Sequence, residues 1–236
     1  MYLLIPAAGS GKRMGGDRNK LLLSLLAQPI LWWTLKAAIA SDAIEWIGII
    51  CQPIDRPDFE GIVAALKAPK PVVFIQGGDT RQESVYNGLQ RLPEGAQRVL
   101  IHDGARCLAT AELFDRCASV LQGCAGLIAA VPVKDTIKVV EDFDKNGSDR
   151  PEVASTPDRS KLWAAQTPQG FEVATLKDAH SRGVREKWAV TDDAALFEKC
   201  GLSVRIVEGE ETNLKVTTPQ DLAIAEFILR QRHPQS

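Results

Sequence analysis

The chain has 236 residues, 45% of them hydrophobic and 25% charged, ordinary globular composition and enough for one sizeable core, so a single domain over residues 1–236 is expected. A formal net charge of -2 argues against a general nucleic-acid grip, which needs a basic excess, but leaves room for a small anionic ligand held by a local cluster. The 5 cysteines, an odd number, form no C-x-x-C pair, so neither a disulfide framework nor a zinc site is supported and reduced thiols in a cytoplasmic protein are expected.

In chain order, short apolar runs bounded by turn residues predict buried strands at Tyr2–Ile5, Trp46–Cys51, Val72–Ile75, Val99–Ile101 and Leu127–Val131. None reaches the roughly 20 apolar residues of a membrane span. The first run meets Gly9-Ser10-Gly11-Lys12-Arg13 at once, so it does not read as a secretory leader and the chain is expected to stay where it is made. Helical spacing follows between strands: Ile30, Trp33, Thr34, Ala37 and Ala38 share a stripe behind Pro29, and Val85, Leu89 and Leu92 share another. Alternating strands and helices imply a doubly wound, mainly parallel α/β sheet.

From 134 to 163 the pattern changes. Thr136–Val140 alternates like a strand, and a polar stretch with the turn signal Asn146-Gly147 follows, predicting a protruding β-arm in place of a second core. Two late helices are marked by their starts, Thr191 before Asp192-Asp193, and Thr218 before Pro219 with Asp221.

Three loops at strand ends carry the chemistry. Pro6-Ala7-Ala8-Gly9-Ser10-Gly11-Lys12-Arg13 is small enough for backbone N–H groups to approach an anion, with cations beside it, and so reads as a phosphate cradle. It is neither a Walker A loop, because Arg13 follows Gly11-Lys12, nor a dinucleotide fingerprint, because Met14 stands where the third glycine belongs. Gln76-Gly77-Gly78-Asp79-Thr80-Arg81 lies after the third strand, at the sheet edge where open α/β sheets bind ligands. Arg81 and Ser84 are spaced to face one ligand, although Asp79 also suits a plain helix N-cap. His102-Asp103-Gly104-Ala105-Arg106 ends the fourth: Asp103 suits Mg²⁺ or substrate hydroxyls and Arg106 a phosphate, unless the two simply pair with each other. The 3 histidines are too scattered for a metal set, and no nucleophile–base constellation is present. A phosphate monoester attacking a nucleoside triphosphate needs none, being itself an anionic nucleophile.

These loops, together with Val133-Lys134-Asp135-Thr136, Gln166-Thr167-Pro168-Gln169, Thr191-Asp192-Asp193-Ala194 and Asn213-Leu214-Lys215-Val216-Thr217, resemble in order and over nearly the whole chain the 2-C-methyl-D-erythritol 4-phosphate cytidylyltransferases of the non-mevalonate isoprenoid pathway. The resemblance implies a Rossmann-like nucleotidyltransferase that transfers CMP from CTP to methylerythritol 4-phosphate. Ala7, Ala8, Gly9, Gly78, Asp79 and Ser84 would surround the cytidine, and Arg13 and Lys20 would hold the triphosphate with Mg²⁺, whose direct ligands stay unknown. Asp103, Arg106, Thr167, Thr191 and Lys215 would meet the acceptor, with Thr136 and Arg159 supplied by the arm of a second subunit in a homodimer. Asn19 and Cys107 stand where the family usually has proline, and the arm is longer than the family's usual hairpin. Two rival readings are an enzyme acting on ribitol 5-phosphate or a sugar phosphate, and a non-catalytic nucleotide-sensing subunit.

Overall fold

The computed structural model describes residues 1–9, 18–141 and 150–233; Arg13 and the Asn146-Gly147 turn lie outside the described residues. The elements in chain order are β1 (Tyr2–Pro6), β2 (Ser24–Leu25), β3 (Gln28–Pro29), α1 (Ile30–Ala40), β4 (Trp46–Cys51), α2 (Arg56–Leu66), β5 (Val72–Gln76), α3 (Arg81–Gln90), β6 (Arg98–Ile101), α4 (Ala111–Val120) and β7 (Gly126–Pro132). They continue with β8 (Val139–Val140), β9 (Val153–Ser155), β10 (Trp163–Glu172), α5 (Val173–Arg185), α6 (Ala194–Lys199), β11 (Arg205–Glu208) and α7 (Pro219–Arg232).

Among the described residues one 7-stranded sheet runs in the order β11-β7-β10-β6-β1-β4-β5. Every neighbouring pair is parallel except those made by β10, which is antiparallel to both β6 and β7. The mainly parallel, doubly wound sheet read from the alternating runs is therefore present, with one reversed strand. Period-two alternation splits each central strand between the two faces. Leu3, Ile5, Ile47, Ile49 and Leu100 enter the core under α1, α2, α4 and α7, while Leu4, Ile50, Val99 and Ile101 enter the one under α3, α5 and α6. Burial on both faces is why these runs are continuously apolar.

α1 buries Leu31 and Leu35 besides Ile30, Trp33, Thr34 and Ala38 of the expected stripe, while Ala37 is only half-buried, because the helix packs against α2 and α4 as well as sharing the core with the sheet. Strand structure in the arm is shorter than predicted, since of Thr136–Val140 only Val139–Val140 pairs, antiparallel to β9. β8 and β9 make a two-stranded sheet of their own, with Ile137, Val139, Val140, Val153 and Trp163 exposed.

The late helices differ in how well their starts were read. α6 begins after Asp193 in place of Thr191, with the Asp192 carboxylate accepting from Ala195 N at 3.0 Å. α7 has the full capping box: Thr218 accepts from Asp221 N, and Asp221 accepts from the backbone of Thr217 and Thr218. Thr218→Ala is expected to lower unfolding free energy by about 1 kcal/mol, measured as a shift of the urea midpoint with an unchanged slope.

Candidate active site

The strand order reverses direction of growth at β1, which is flanked by β4 and β6. At such a switch point the loops leaving adjacent strands diverge and open a crevice. A cavity of about 380 Å³ lies there, lined by the exits of β1, β5 and β6 and by Lys215 and Thr217 ahead of α7.

Backbone closeness shapes one half of it. A Cβ on Gly77 would stand 2.5 Å from the Ala8 side chain, so the β1 and β5 loops meet only because that position lacks one; a Cβ on Gly78 would stand 2.4 Å from Glu83, so the bare backbone there lets the loop fold onto the start of α3. Ser84 is buried, and its Oγ accepts from Gly78 N at 3.0 Å, locking the loop to α3. The cap of α3 is Thr80, not Asp79: Thr80 and Glu83 form a reciprocal capping box, and Glu83 also accepts from Asp79 N at 2.9 Å. Asp79 lines the cavity with Ala7, Ala8, Gly9, Gly78 and Ser84. The nucleotide-binding residues inferred from the sequence are thus brought together.

Asn19, a departure from the family pattern, is buried and fully used. Its amide donates to Ala7 O at 2.7 Å and to the Asp55 carboxylate at 2.8 Å, and its Oδ1 accepts from Leu21 N at 3.1 Å. This fixes the single helical turn Lys20–Leu22 at the cavity edge, where Lys20 Nζ donates to Val216 O at 2.8 Å. The Lys215 loop is held in turn by Val216 N donating to Ala105 O at 2.9 Å and by the cap of α7.

The other half of the cavity is electrostatic. Asp103 lies between Lys215, whose Nζ is 2.8 Å from Oδ2, Arg81, whose Nε is 3.7 Å from Oδ1, and Arg106, whose Nε is 3.8 Å from Oδ2. Burial alone would raise its pKa, but Lys215, then Arg81 and Arg106, overcome that and hold it at about 2. Asp103 and Arg106 do approach each other, yet Arg106 is mainly a brace. Its terminal nitrogens donate to Asn213 O at 2.7 Å and Ala165 O at 3.3 Å, and it does not line the cavity.

Thr167 is also more committed than a free ligand contact. A carbonyl can only accept, so His102 Nε2, 3.2 Å from Arg106 O, carries the ring proton. His102 Nδ1 then accepts from Thr167 Oγ1 at 3.0 Å, and that oxygen accepts from Asp103 N at 3.0 Å. The chain of bonds orients the Asp103 backbone and spends the Thr167 proton, leaving one lone pair.

Residues without a sequence-assigned role complete the frame. Asn213 Nδ2 donates to Thr167 O at 2.8 Å and Gln166 Oε1 at 3.1 Å, and Gln169 Oε1 accepts from Asp193 N and Ala194 N at 3.2 Å. Their motifs were visible in the sequence, but nothing in spacing marked which side chains face inward. Thr191, Thr136 and Arg159 stand outside the cavity lining. Thr136 is exposed on the arm, and Arg159, also exposed, donates to Lys134 O at 2.7 Å.

A profile of the 2-C-methyl-D-erythritol 4-phosphate cytidylyltransferase family matches residues 1–231. A relative from Nostoc punctiforme bearing that enzyme name is 69% identical over 232 residues, 98% of this chain and 99% of its own. One from Synechocystis, with the same name, is 64% identical over the full length of both chains. The solved 4-diphosphocytidyl-2C-methyl-D-erythritol synthase of Anaerococcus prevotii superposes with a TM-score of 0.83 at 29% identity, covering 97% of each chain.

The buried imidazole makes stability pH-dependent. Burial pushes His102 down to about 4 from 6.5, so between those values the unfolded chain binds the extra proton. Stability fully present above pH 6.5 therefore drains as the pH falls toward 4, and Asp103, depressed to about 2, adds a further loss below pH 4. A decrease of roughly 2–3 kcal/mol between pH 7 and pH 4.5 is expected from His102. Urea unfolding at the two pH values measures it, and His102→Gln should flatten that window.

Proposed function

The chain belongs to the 2-C-methyl-D-erythritol 4-phosphate cytidylyltransferase family and transfers CMP from CTP to 2-C-methyl-D-erythritol 4-phosphate with release of pyrophosphate, and from that premise we propose how its residues perform the reaction. The observation that carries the assignment is the placement of Asp103, ionised among Lys215, Arg81 and Arg106, in the same cavity as the small-residue loops of β1 and β5. One half of the cavity suits a nucleoside and the other a hydroxylated phosphate.

Ala7, Ala8, Gly9, Gly78, Asp79 and Ser84 surround the cytidine. Arg13 and Lys20 hold the triphosphate, and Asp103 accepts hydrogen bonds from acceptor hydroxyls, with Arg106, Thr167 and Thr191 framing that side. An oxygen of the acceptor phosphate attacks the α-phosphorus in line. A new P–O bond forms as the bond to the bridging oxygen breaks, and the electron pair leaves with pyrophosphate. No protein base is required, because the nucleophile is already an anion. Catalysis is alignment by Lys215 and Arg159 together with charge neutralisation by Arg13 and Lys20 as charge moves onto the leaving group.

Among the described residues no group of three or more His, Cys, Asp or Glu is placed to hold a metal ion. Two carboxylate residues line the cavity, Asp79 and Asp103, a sparse set that would suit a Mg²⁺ carried in by the triphosphate, since that ion ordinarily takes only one or two protein carboxylates. Asp103 would be its protein oxygen, and the ion would supply further neutralisation of phosphate charge.

The exposed apolar residues of β8 and β9 and the position of Arg159 beyond its own cavity support a homodimer in which each arm carries Thr136 and Arg159 to the partner's acceptor site. Among the described residues no helix is long and apolar enough to cross a membrane, and a cytoplasmic location suits both substrates.

Pyrophosphate release with Mg²⁺, CTP and methylerythritol phosphate tests the reading, with UTP, ATP, GTP and ribitol 5-phosphate as competitors; preference for ribitol 5-phosphate would replace the acceptor. Arg13→Ala and Lys20→Ala are each expected to lower kcat by about 100- to 1,000-fold with the fold kept. Mixing inactive Arg13→Ala subunits with inactive Arg159→Ala subunits should restore about one quarter of the sites, because half the dimers are hybrids and each hybrid has one intact site. If Arg159 serves its own chain, no activity returns.

A further inference from the structure

The Thr191-Asp192-Asp193-Ala194 segment contributes a buried carboxylate that the reading above does not use. Asp193 is 1% exposed and accepts from Arg81 Nη1 at 2.8 Å through Oδ2. Its Oδ1 lies 3.1 Å from Nε2 of His180, which is inaccessible on α5. Its own N–H donates to Gln169 Oε1 at 3.2 Å, and the neighbouring Asp192 carboxylate accepts from Gln169 Nε2 at 2.8 Å. The start of α6 is therefore bolted to β10, and the carboxylate has no freedom to follow a moving partner.

Arg81 is the partner that reaches out. Its side chain is 28% exposed and lines the cavity, at the seam between the nucleotide loop, two residues back at Asp79, and Asp103 on the acceptor side. Burial would lower its pKa, but Asp193 first and Asp103 next hold it above the usual value. The planar guanidinium presents Nη1 to a buried carboxylate and Nε to Asp103 Oδ1, 3.7 Å away, a two-point grip that a lysine ammonium cannot reproduce. Lys215 takes the other oxygen of Asp103. Arg81 is thus the cation on Oδ1 of Asp103, opposite Lys215 and Arg106 on Oδ2, and it is aimed from behind by Asp193.

We propose that Asp193 is a positioning residue of the transfer reaction: it fixes the Arg81 guanidinium, and Arg81 fixes the Asp103 carboxylate that receives the phosphorylated acceptor. This rests on the assignment of Asp103 to the acceptor. The effect should fall on the acceptor more than on the nucleotide, since the loops that surround the cytidine are held by separate bonds through Ser84 and Glu83.

The test is a double-mutant cycle on the purified full chain with Arg81→Gln, Asp193→Asn and the pair combined, CTP and methylerythritol phosphate being varied separately. A displaced catalytic frame typically costs on the order of 10- to 100-fold, so kcat/KM for the acceptor should fall by about that much in either single variant, with KM for CTP within about threefold of wild type. The double variant should be no worse than Arg81→Gln alone, because Asp193 acts through Arg81. Arg81→Lys should not rescue. Additive losses, or a lower melting temperature with unchanged kinetic constants in Asp193→Asn, would overturn the proposal. Should Asp193→Asn fail to fold, Arg81→Gln decides it alone: acceptor constants within twofold of wild type reject the inference. Absence of pyrophosphate release by the wild-type chain would instead reject the underlying acceptor assignment, which keeps the two failures distinct.

Discussion

A nearly buried carboxylate surrounded by cations is the constraint on which the charged half of the cavity depends. Asp103 stays ionised only because Lys215, Arg81 and Arg106 arrive from three separate segments, and removing water from a charge is tolerable only when such partners are held in place. Each cation accordingly has its own anchor. Arg106 is gripped by the carbonyls of Asn213 and Ala165, Arg81 by Asp193, and the Lys215 loop by Ala105 and the cap of α7. Much of the polar framework around β6, β10 and α6 follows from keeping one carboxylate charged.

The half of the cavity built from the β1 and β5 loops obeys a different rule. Its walls are backbone and small side chains, and steric closeness selects them: Gly77 against Ala8, and Gly78 against Glu83. Main-chain donors and carbonyls can be offered to a ligand only where no Cβ intervenes. Asn19 ties this half to the cationic half by bonding Ala7 O while capping the turn that carries Lys20. The two halves meet at β1, where the sheet reverses its order of growth.

Strands β1, β4, β6 and β7 were legible because burial on both faces demands uninterrupted apolar runs, the half-buried edge strand β5 because its apolar run is bounded by turn residues, and the start of α7 because its cap has a sequence signature. Strand β10 was not. Gln166, Thr167 and Gln169 are polar yet buried within it, each satisfied by a partner distant in sequence, and such residues read locally as loop. The start of α6 was misplaced by two residues for a related reason: Thr191 looks like a cap, but the cap position is Asp193, and the Asp192 carboxylate takes the N–H of Ala195.

By itself the sequence determined the α/β class, the strand-end loops and, through its ordered motifs, the family and hence the chemistry, because glycine placement and apolar periodicity are local properties with few structural solutions. It also named Asp103, Lys20 and Lys215 as site residues. Only the tertiary structure decided their mutual geometry: that Asp103 faces three cations, that Thr167 and Arg106 brace the frame around it, and that Asp193 reaches the cavity through Arg81. Those relations join residues as far apart as Arg81 and Asp193, and no pattern along the chain encodes a contact that exists only once the sheet has brought its strand ends together.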